Sequence, residues 1–515
     1  MQNAVIMTVT ALVLRTIGIF FRIYLSNCIG AEGMGLYQLV FSVYVLVSTF
    51  ASAGITTAVT RLITDELVCG TSKSIKRILS RAVTISVLCG LLSAVIIFAA
   101  ANPLGKLIVK DIRAIPSLKM LGISLPFMGA TACLRGYFMA RRKTVCPSLG
   151  QITEQLARIA FISLFLWIFK GKDIAYTCLA VILGDSFAEI VSCAFLSVGY
   201  LLDSRHLKSL ISPQNTCQTA KHSIVYRLAA IAVPITAGRY LSSALRTVEN
   251  ILVPQKLTAF HHSPERALSE FGMLKGMALP LLFFPSSFLS SISTLLIPEL
   301  SEAHTLQQKS KVCHAVSKTL QLTLLSSILL SGLFTMYAYE LGVMLYHSHD
   351  VGFLMRVLSP LMPIMYLESI VDGMLKGLNQ QIHSLWYSVL DSGSRIVMII
   401  YIIPARGMGG FLFIMVISNL LTSLLNLNRL LRVTDVRMEW GNWVIKPTLA
   451  IVLSAAITTL ISRYMPFVSL HILRILIGGS ITVILYCIFA FLLGALSVAE
   501  LRRQKEKRVC KTPAE

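Results

Sequence analysis

Apolar residues run along this chain in long stretches, interrupted by short polar or basic segments. A stretch of about twenty apolar residues crosses the hydrocarbon core of a bilayer as a helix. Fourteen such spans are predicted, beginning near positions 4, 34, 79, 117, 152, 174, 225, 271, 316, 352, 382, 407, 443 and 470. The eighth and tenth are long, and Pro280, Pro285, Pro360 and Pro363 predict kinks or breaks within them. The first span has no basic leader and carries arginines within it, so it reads as a retained helix and not as a cleaved signal peptide.

The second half of the pattern echoes the first. The sequence LPFMGATACLRGYFMARRKTVCPSLGQITEQLARI around the fourth and fifth spans is matched by LMPIMYLESIVDGMLKGLNQQIHSLWYSVLDSGSRI around the tenth and eleventh. At an offset of 237, Pro126 falls on Pro363, Gly136 on Gly373, Glu154 on Asp391 and Arg158 on Arg395, while Asp65 falls on Glu302. Nearer the start of each half the offset is 224, placing Arg15 on Arg239 and Arg22 on Arg246. The shift between offsets locates a 13-residue insertion in the polar stretch QKLTAFHHSPERALSEFG. Six spans per repeat is an even number, so the halves share one orientation across the membrane. The predicted fold is an all-α polytopic membrane protein: two six-helix bundles related by a parallel repeat, plus two extra C-terminal helices. The expected boundaries are an N-terminal lobe over 1–203, a linker over 204–224, a C-terminal lobe over 225–432, two further spans over 443–495 and a basic tail over 496–515.

Composition agrees with this pattern. Of 515 residues, 55% are hydrophobic and only 14% charged, and the mean hydropathy is +0.74. A soluble domain carries about 25% charged residues, so that class is excluded. The formal charge of +22 is scattered over short loops and the tail LRRQKEKRVCK. That distribution excludes a nucleic-acid-binding module and suits contact with anionic membrane lipids. With the N-terminus inside, inner segments hold 26 of the 46 Lys and Arg residues and outer segments 13. Cytoplasmic loops are the basic ones, so both termini are expected in the cytoplasm and the chain in the plasma membrane. The eleven cysteines form no CxxC pair and are expected to be reduced packing residues, with no metal site.

The other seven basic residues are arginines inside spans: Arg15, Arg22, Arg135, Arg158, Arg239, Arg246 and Arg395. A charge within a span is costly and marks a cavity or pathway. Arg15 and Arg239 lie roughly 15 to 20 Å into their helices from the cytoplasmic side, with Arg22 and Arg246 about 10 Å further out. Seven residues is nearly two turns, so each pair shares a helix face. Four guanidiniums lining one central cavity would suit a substrate bearing phosphate, since the planar donor fork matches phosphate oxygens. The plainer readings are that Arg22 and Arg246 reach to the outer interface, or that Arg246 pairs with Glu249.

Glu154 with Arg158 and Asp391 with Arg395 are spaced for ion pairs on one helix. Such pairs neutralise one another, latch helices or act as a gate. Asp185 and Glu189 form an acidic pair four residues apart in the sixth span, and intramembrane carboxylates serve either as ion-coupling sites or in structural pairs. Glu368, Asp372 and Lys376 read as a self-paired stripe. No Walker loop, HExxH or GxSxG motif is present, so the sequence gives no catalytic residue and no cofactor. The energy source is then a proton or sodium gradient, the membrane potential or substrate flux.

The ordered set IGAEGMGLYQLVFSVY, RGYFMARRKTVCPSLGQITEQLARI, VPITAGRYLSSALRTVENILVPQKL, GMALPLLFFP and DGMLKGLNQQ followed by LNLNRLLRVTD resembles the polysaccharide-exporter branch of the multidrug/oligosaccharidyl-lipid/polysaccharide (MOP) exporter superfamily. The similarity covers nearly the whole chain. It implies a two-lobed, MATE-like fold and a role in flipping a lipid-linked (undecaprenyl-pyrophosphate) peptidoglycan or polysaccharide precursor, for spore cortex or cell-wall synthesis. It also implies similarity to lipid II flippases, whose cavity uses first-span arginines, matched here by Arg15 and Arg22. Unlike the better-known lipid II flippases, residues 1–31 contain no Asp or Glu. Two alternatives stand beside this reading: a cation-coupled multidrug antiporter of the same superfamily, and a non-transporting scaffold for cell-wall synthesis enzymes.

Overall fold

The computed structural model describes residues 2–52, 54–69, 72–210, 223–463 and 471–495. The basic tail expected over 496–515, and residues 211–222 of the expected linker, lie outside the described residues. Among those described, the chain is built of helices with short π and 3-10 turns, and no strand is present. In hydrocarbon a helix satisfies its backbone N–H and C=O groups without a neighbouring segment, which is why an apolar chain of this kind takes that form.

Two compact units divide the chain: Met1–Phe21 with Cys28–Gly272, and Arg22–Asn27 with Met273–Glu515. The first is built from α1 (Gln2–Ser52, whose residues 22–27 count with the other unit), α2 (Ile55–Cys69), α3 (Ser72–Pro103), α4 (Ile115–Leu121), α5 (Leu125–Ala140), α6 (Val145–Ile168), α7 (Ile174–Leu210), α8 (Ile224–His261) and α9 (Pro264–Gly272). The second contains α10 (Leu279–Phe283), α11 (Ser286–Thr305), α12 (Lys309–Tyr346), α13 (His349–Leu358), α14 (Met362–Gly377), α15 (Gln381–Thr434), α16 (Lys446–Arg463) and α17 (His471–Leu492). The first unit therefore runs on through α8 and α9 to Gly272. The reason is local packing of α8 on the first unit: Gly54 N donates to Thr236 Oγ1 at 3.1 Å, Thr247 Oγ1 donates to Ser42 O at 3.0 Å, and the Tyr240 ring meets Phe50 edge-on at 6.5 Å.

Nine helical segments among the described residues are long and apolar enough to cross a bilayer, or ten if the bent pair Ile112–Leu121 and Leu125–Ala140 is one span. The pattern predicted fourteen. Two of the nine are 60 and 54 residues long, Thr8–Leu67 and Gln381–Thr434, and each contains a glycine outside helical geometry. These are Gly30 (φ 71°, ψ 177°) in α1 and Gly407 (φ 56°, ψ −140°) in α15, and glycine takes such angles without the steric penalty of a Cβ. Helix breaks also occur at predicted prolines: Pro285 lies between α10 and α11, and a 3-10 turn over Ser359–Leu361 separates α13 from α14.

The repeat reaches into the backbone. Helices α5 and α14 are each 16 residues long and begin 237 positions apart, as do α3 and α12. The left-handed residues Lys110 and His347 share that spacing, and so do Arg142 and Asn379. A non-glycine residue with positive φ is uncommon, so the coincidence is far more specific than matched Leu or Ile. Each unit buries its own core. Ala58, Val59, Ile63, Tyr137 and Phe138 join α2 to α5 in one, while Leu320, Val371, Met374 and Leu375 join α12 to α14 in the other. In the second unit α17 is tied to α12 by Tyr486 Oη donating to Leu325 O at 2.8 Å. Among the described residues seven cysteines are free thiols, whereas Cys313 is disulfide-bonded, unlike the expectation that all are reduced.

Within the first unit, α9 approaches α1 so closely that a Cβ on Gly272 would stand 1.9 Å from Ala31 O and 2.6 Å from Gly35 N. Small residues let membrane helices touch through their backbones. Gly272→Ala is expected to force the helices apart and destabilise the protein by about 1–3 kcal/mol, the usual cost of overpacking. A thermal unfolding curve in detergent should show the drop, and adding Gly35→Ala should cost less than its single effect, because the first shift already makes room.

Candidate functional site

The structure sorts the seven in-span arginines into two kinds. Three are tied to carboxylates: Arg135 to Glu154 at 2.6 Å, Arg158 to Glu154 at 2.9 Å and Asp185 at 2.7 Å, and Arg395 to Asp391 at 2.7 Å. The other four, Arg15, Arg22, Arg239 and Arg246, make no ion pair among the described residues. In the first unit Arg15, Arg239 and Arg246 are exposed, and Arg22 on the segment counted with the second is half-buried. Glu249 is buried, only 3% exposed, and Arg246 does not use it.

Why these four stay free follows from the sequence around them. Helix α1 carries no carboxylate before Glu32, and that residue is taken by Arg113 at 2.7 Å. Seven residues separate the two arginines of α1, and likewise those of α8, so each pair spans about 10 Å along its helix. The helix surface around Arg239 is otherwise open, with Val233, Tyr240 and Leu241 exposed. A guanidinium held on a spanning helix with no internal counter-charge is suited to water or to an anion brought from outside. Its five fixed donors suit phosphate oxygens in particular.

Two of the tied arginines, Arg135 and Arg158, form a largely enclosed polar cluster with carboxylates on α6 and α7 of the first unit. Glu154 is its hub, accepting from Arg135 and Arg158 and from Ser192 Oγ at 3.2 Å. Arg158 also donates to Gln155 Oε1 at 2.7 Å. Asp185 and Glu189 are 8% and 7% exposed. The sequence singled out Glu154, Arg158, Asp185 and Glu189, and the structure brings all four together. It adds Arg135, whose 19-residue separation from Glu154 has no helical period to betray it.

The matching position in the second unit holds a corresponding pair. Asp391 and Arg395 pair within α15, and Ser418 on the far side of the Gly407 break bonds both. Asp372 pairs with Lys376 and also accepts from Ser384. A further cluster of the first unit escaped the sequence reading. Asp203 is 6% exposed and accepts from Tyr137 Oη at 2.6 Å, from Arg141 at 3.2 Å and from Lys143. It ties the end of α5 to α7 and is closed on itself. The visible signal was the basic run Arg141–Lys143, which reads equally well as a solvated loop.

Long kinked helices, an internal repeat and unpaired cations on spanning segments define a multi-pass membrane protein of the transporter class. Residues 1–304 match the family model described as polysaccharide biosynthesis protein, and the chain belongs to that family. It is 23% identical to stage V sporulation protein B of Bacillus subtilis (strain 168) over 98% of this chain and 97% of that one. To the lipid II flippase MurJ of the same organism it is 21% identical, over 74% and 73% of the two chains. Among solved structures, the inward closed conformation of lipid II flippase MurJ matches with a TM-score of 0.69 at 14% identity, over 96% of this chain and 99% of that one. An inward-facing multidrug resistance MATE family transporter of the MOP superfamily matches with a TM-score of 0.60 at 12% identity, covering 83% and 99%. The fold is thus the MATE-like fold of that superfamily.

Proposed function

We propose that the protein is a flippase for a lipid-linked saccharide whose headgroup carries pyrophosphate, working by alternating access in the plasma membrane with both termini in the cytoplasm. The observation that carries this is the split among the in-span arginines. Three are neutralised by the protein, whereas Arg15, Arg22, Arg239 and Arg246 are left without a carboxylate among the described residues. A cationic drug would be repelled by such arginines; a pyrophosphate would accept their hydrogen bonds. The similarity to a lipid II flippase along most of the chain supports the same cargo class, and the similarity to a sporulation protein supports a role in spore cortex or cell-wall synthesis. The scattered basic loops suit anionic lipid headgroups on the cytoplasmic face.

The test is reconstitution into vesicles, with fluorescent lipid II and a cationic dye offered separately. The expected outcome is movement of lipid II between leaflets and none of the dye. Dye movement without lipid II movement would return the protein to the multidrug antiporters whose fold it shares, and movement of neither would leave a scaffold for cell-wall synthesis enzymes.

A further inference from the structure

The cluster on α5, α6 and α7 does not balance. Glu154, Asp185 and Glu189 supply three carboxylates against the two guanidiniums of Arg135 and Arg158. Glu154 and Asp185 are hydrogen-bonded to those arginines. Glu189 makes no hydrogen bond or ion pair among the described residues, although it is 7% exposed and lies within electrostatic reach of all four other members. A buried carboxylate is costly as an anion unless it is paired, and the ordinary relief is a proton.

A second observation points the same way. Arg135, one of the cations facing Glu189, keeps its Nε–H buried without a partner, while its Nη2 is bonded to Glu154. Were Glu189 an anion in this state, that spare donor would have a nearby acceptor to turn to. The two unsatisfied groups fit a neutral Glu189, and they define what happens when it ionises. The other groups around it are Arg158 and Glu154 on α6, Asp185 and Cys193 one turn away on either side on its own helix, and Tyr44 of α1. On α4, which also packs on α7, Lys119 is turned to the Phe98 ring at 5.8 Å.

We infer that Glu189 is a proton-binding site that couples a proton to the transport cycle. Protonated, it sits as seen, with Arg135 held by Glu154. On losing its proton to water the carboxylate captures Arg135 Nε, so one cation is shared between α6 and α7 in a ratio set by a single proton. No other bond forms or breaks. A metal cation is the poorer occupant, because two guanidiniums already crowd the place where it would sit.

The inference extends the proposed flippase cycle, yet its first test needs no cargo. Infrared difference spectra of the purified full-length protein, titrated with pH, are expected to show a protonated-carboxyl carbonyl band that fades as pH rises. Glu189→Gln, which has the shape of the protonated acid, should lack that band while eluting as folded protein. Arg135→Gln should move the midpoint to higher pH by about one to three units, since a nearby cation normally favours the anion by that much. The same band and midpoint in Glu189→Gln would overturn the proton site, and an unmoved midpoint in Arg135→Gln would overturn the change of partner. In vesicles, an imposed pH gradient should shift the leaflet distribution of lipid II by up to about tenfold per pH unit for one proton per cycle. Glu189→Gln should still move lipid II but ignore the gradient; a retained response overturns the coupling. If the unaltered protein moves no lipid II, the cargo assignment falls, while the infrared titration still decides the proton site.

Discussion

Arg15→Ala and Arg239→Ala are each expected to lower lipid II movement by about tenfold to a hundredfold, the equivalent of losing one charge-assisted hydrogen-bonding group worth about 1.5–3 kcal/mol. The magnitude follows from what each residue lacks. Neither has a carboxylate among the described residues, so truncation leaves no orphaned anion and should not disturb folding. Thermal unfolding and membrane insertion are expected to stay as they were. Arg15→Lys and Arg239→Lys should fall between, because the charge survives while the planar fork that grips two phosphate oxygens is gone. Arg22→Ala and Arg246→Ala should act in the same direction. The measurement is the initial rate of fluorescent lipid II movement in vesicles, with equilibrium binding of the same lipid beside it. Unchanged rates in both Arg15→Ala and Arg239→Ala, in protein shown to be folded, would remove the arginines from the cargo site.

Much of this architecture is legible in the sequence because membranes impose a coarse code. Apolar length gives helices, and low-frequency residues give the repeat. The offset of 237 read from Pro126, Gly136, Glu154 and Arg158 reappears in the bounds of α5 and α14 and in the left-handed residues Lys110 and His347. What the code does not carry is how helices pair. The packing of α8 beside α2 through Gly54 and Thr236 joins residues 182 positions apart, and no period in the sequence announces it. The same limit holds for the site. Spacing finds Glu154 with Arg158 because helical period places them together. It does not find that Arg158 also reaches Asp185 across 27 residues, or that Arg135 completes the cluster. Only tertiary contact separates the tied arginines from the free ones, although all seven look alike as charges in apolar sequence.

That separation sets the second large effect, on stability. Arg158 holds two carboxylates on two helices, Glu154 on its own and Asp185 on α7. Removing one partner of a buried ion pair costs about 3–5 kcal/mol, since the uncompensated charge remains in a poorly solvated site. Arg158→Leu is therefore expected to leave little folded protein, with a sharply lower unfolding temperature in detergent. Arg158→Leu combined with Asp185→Leu should recover much of the loss, because removing both charges together spares the desolvation of each. Arg395→Leu is the informative comparison. Arg395 pairs with Asp391 on its own helix, and Ser418 stays in place as a donor to that acid. Its loss should cost clearly less than that of Arg158, although the two residues occupy matching positions in the repeat. Equal losses would mean that the i, i+4 pair alone carries the stability in both halves. A larger loss at Arg158 would show that the bridge from α6 to α7 is what the first unit adds, and on that bridge Glu189 depends.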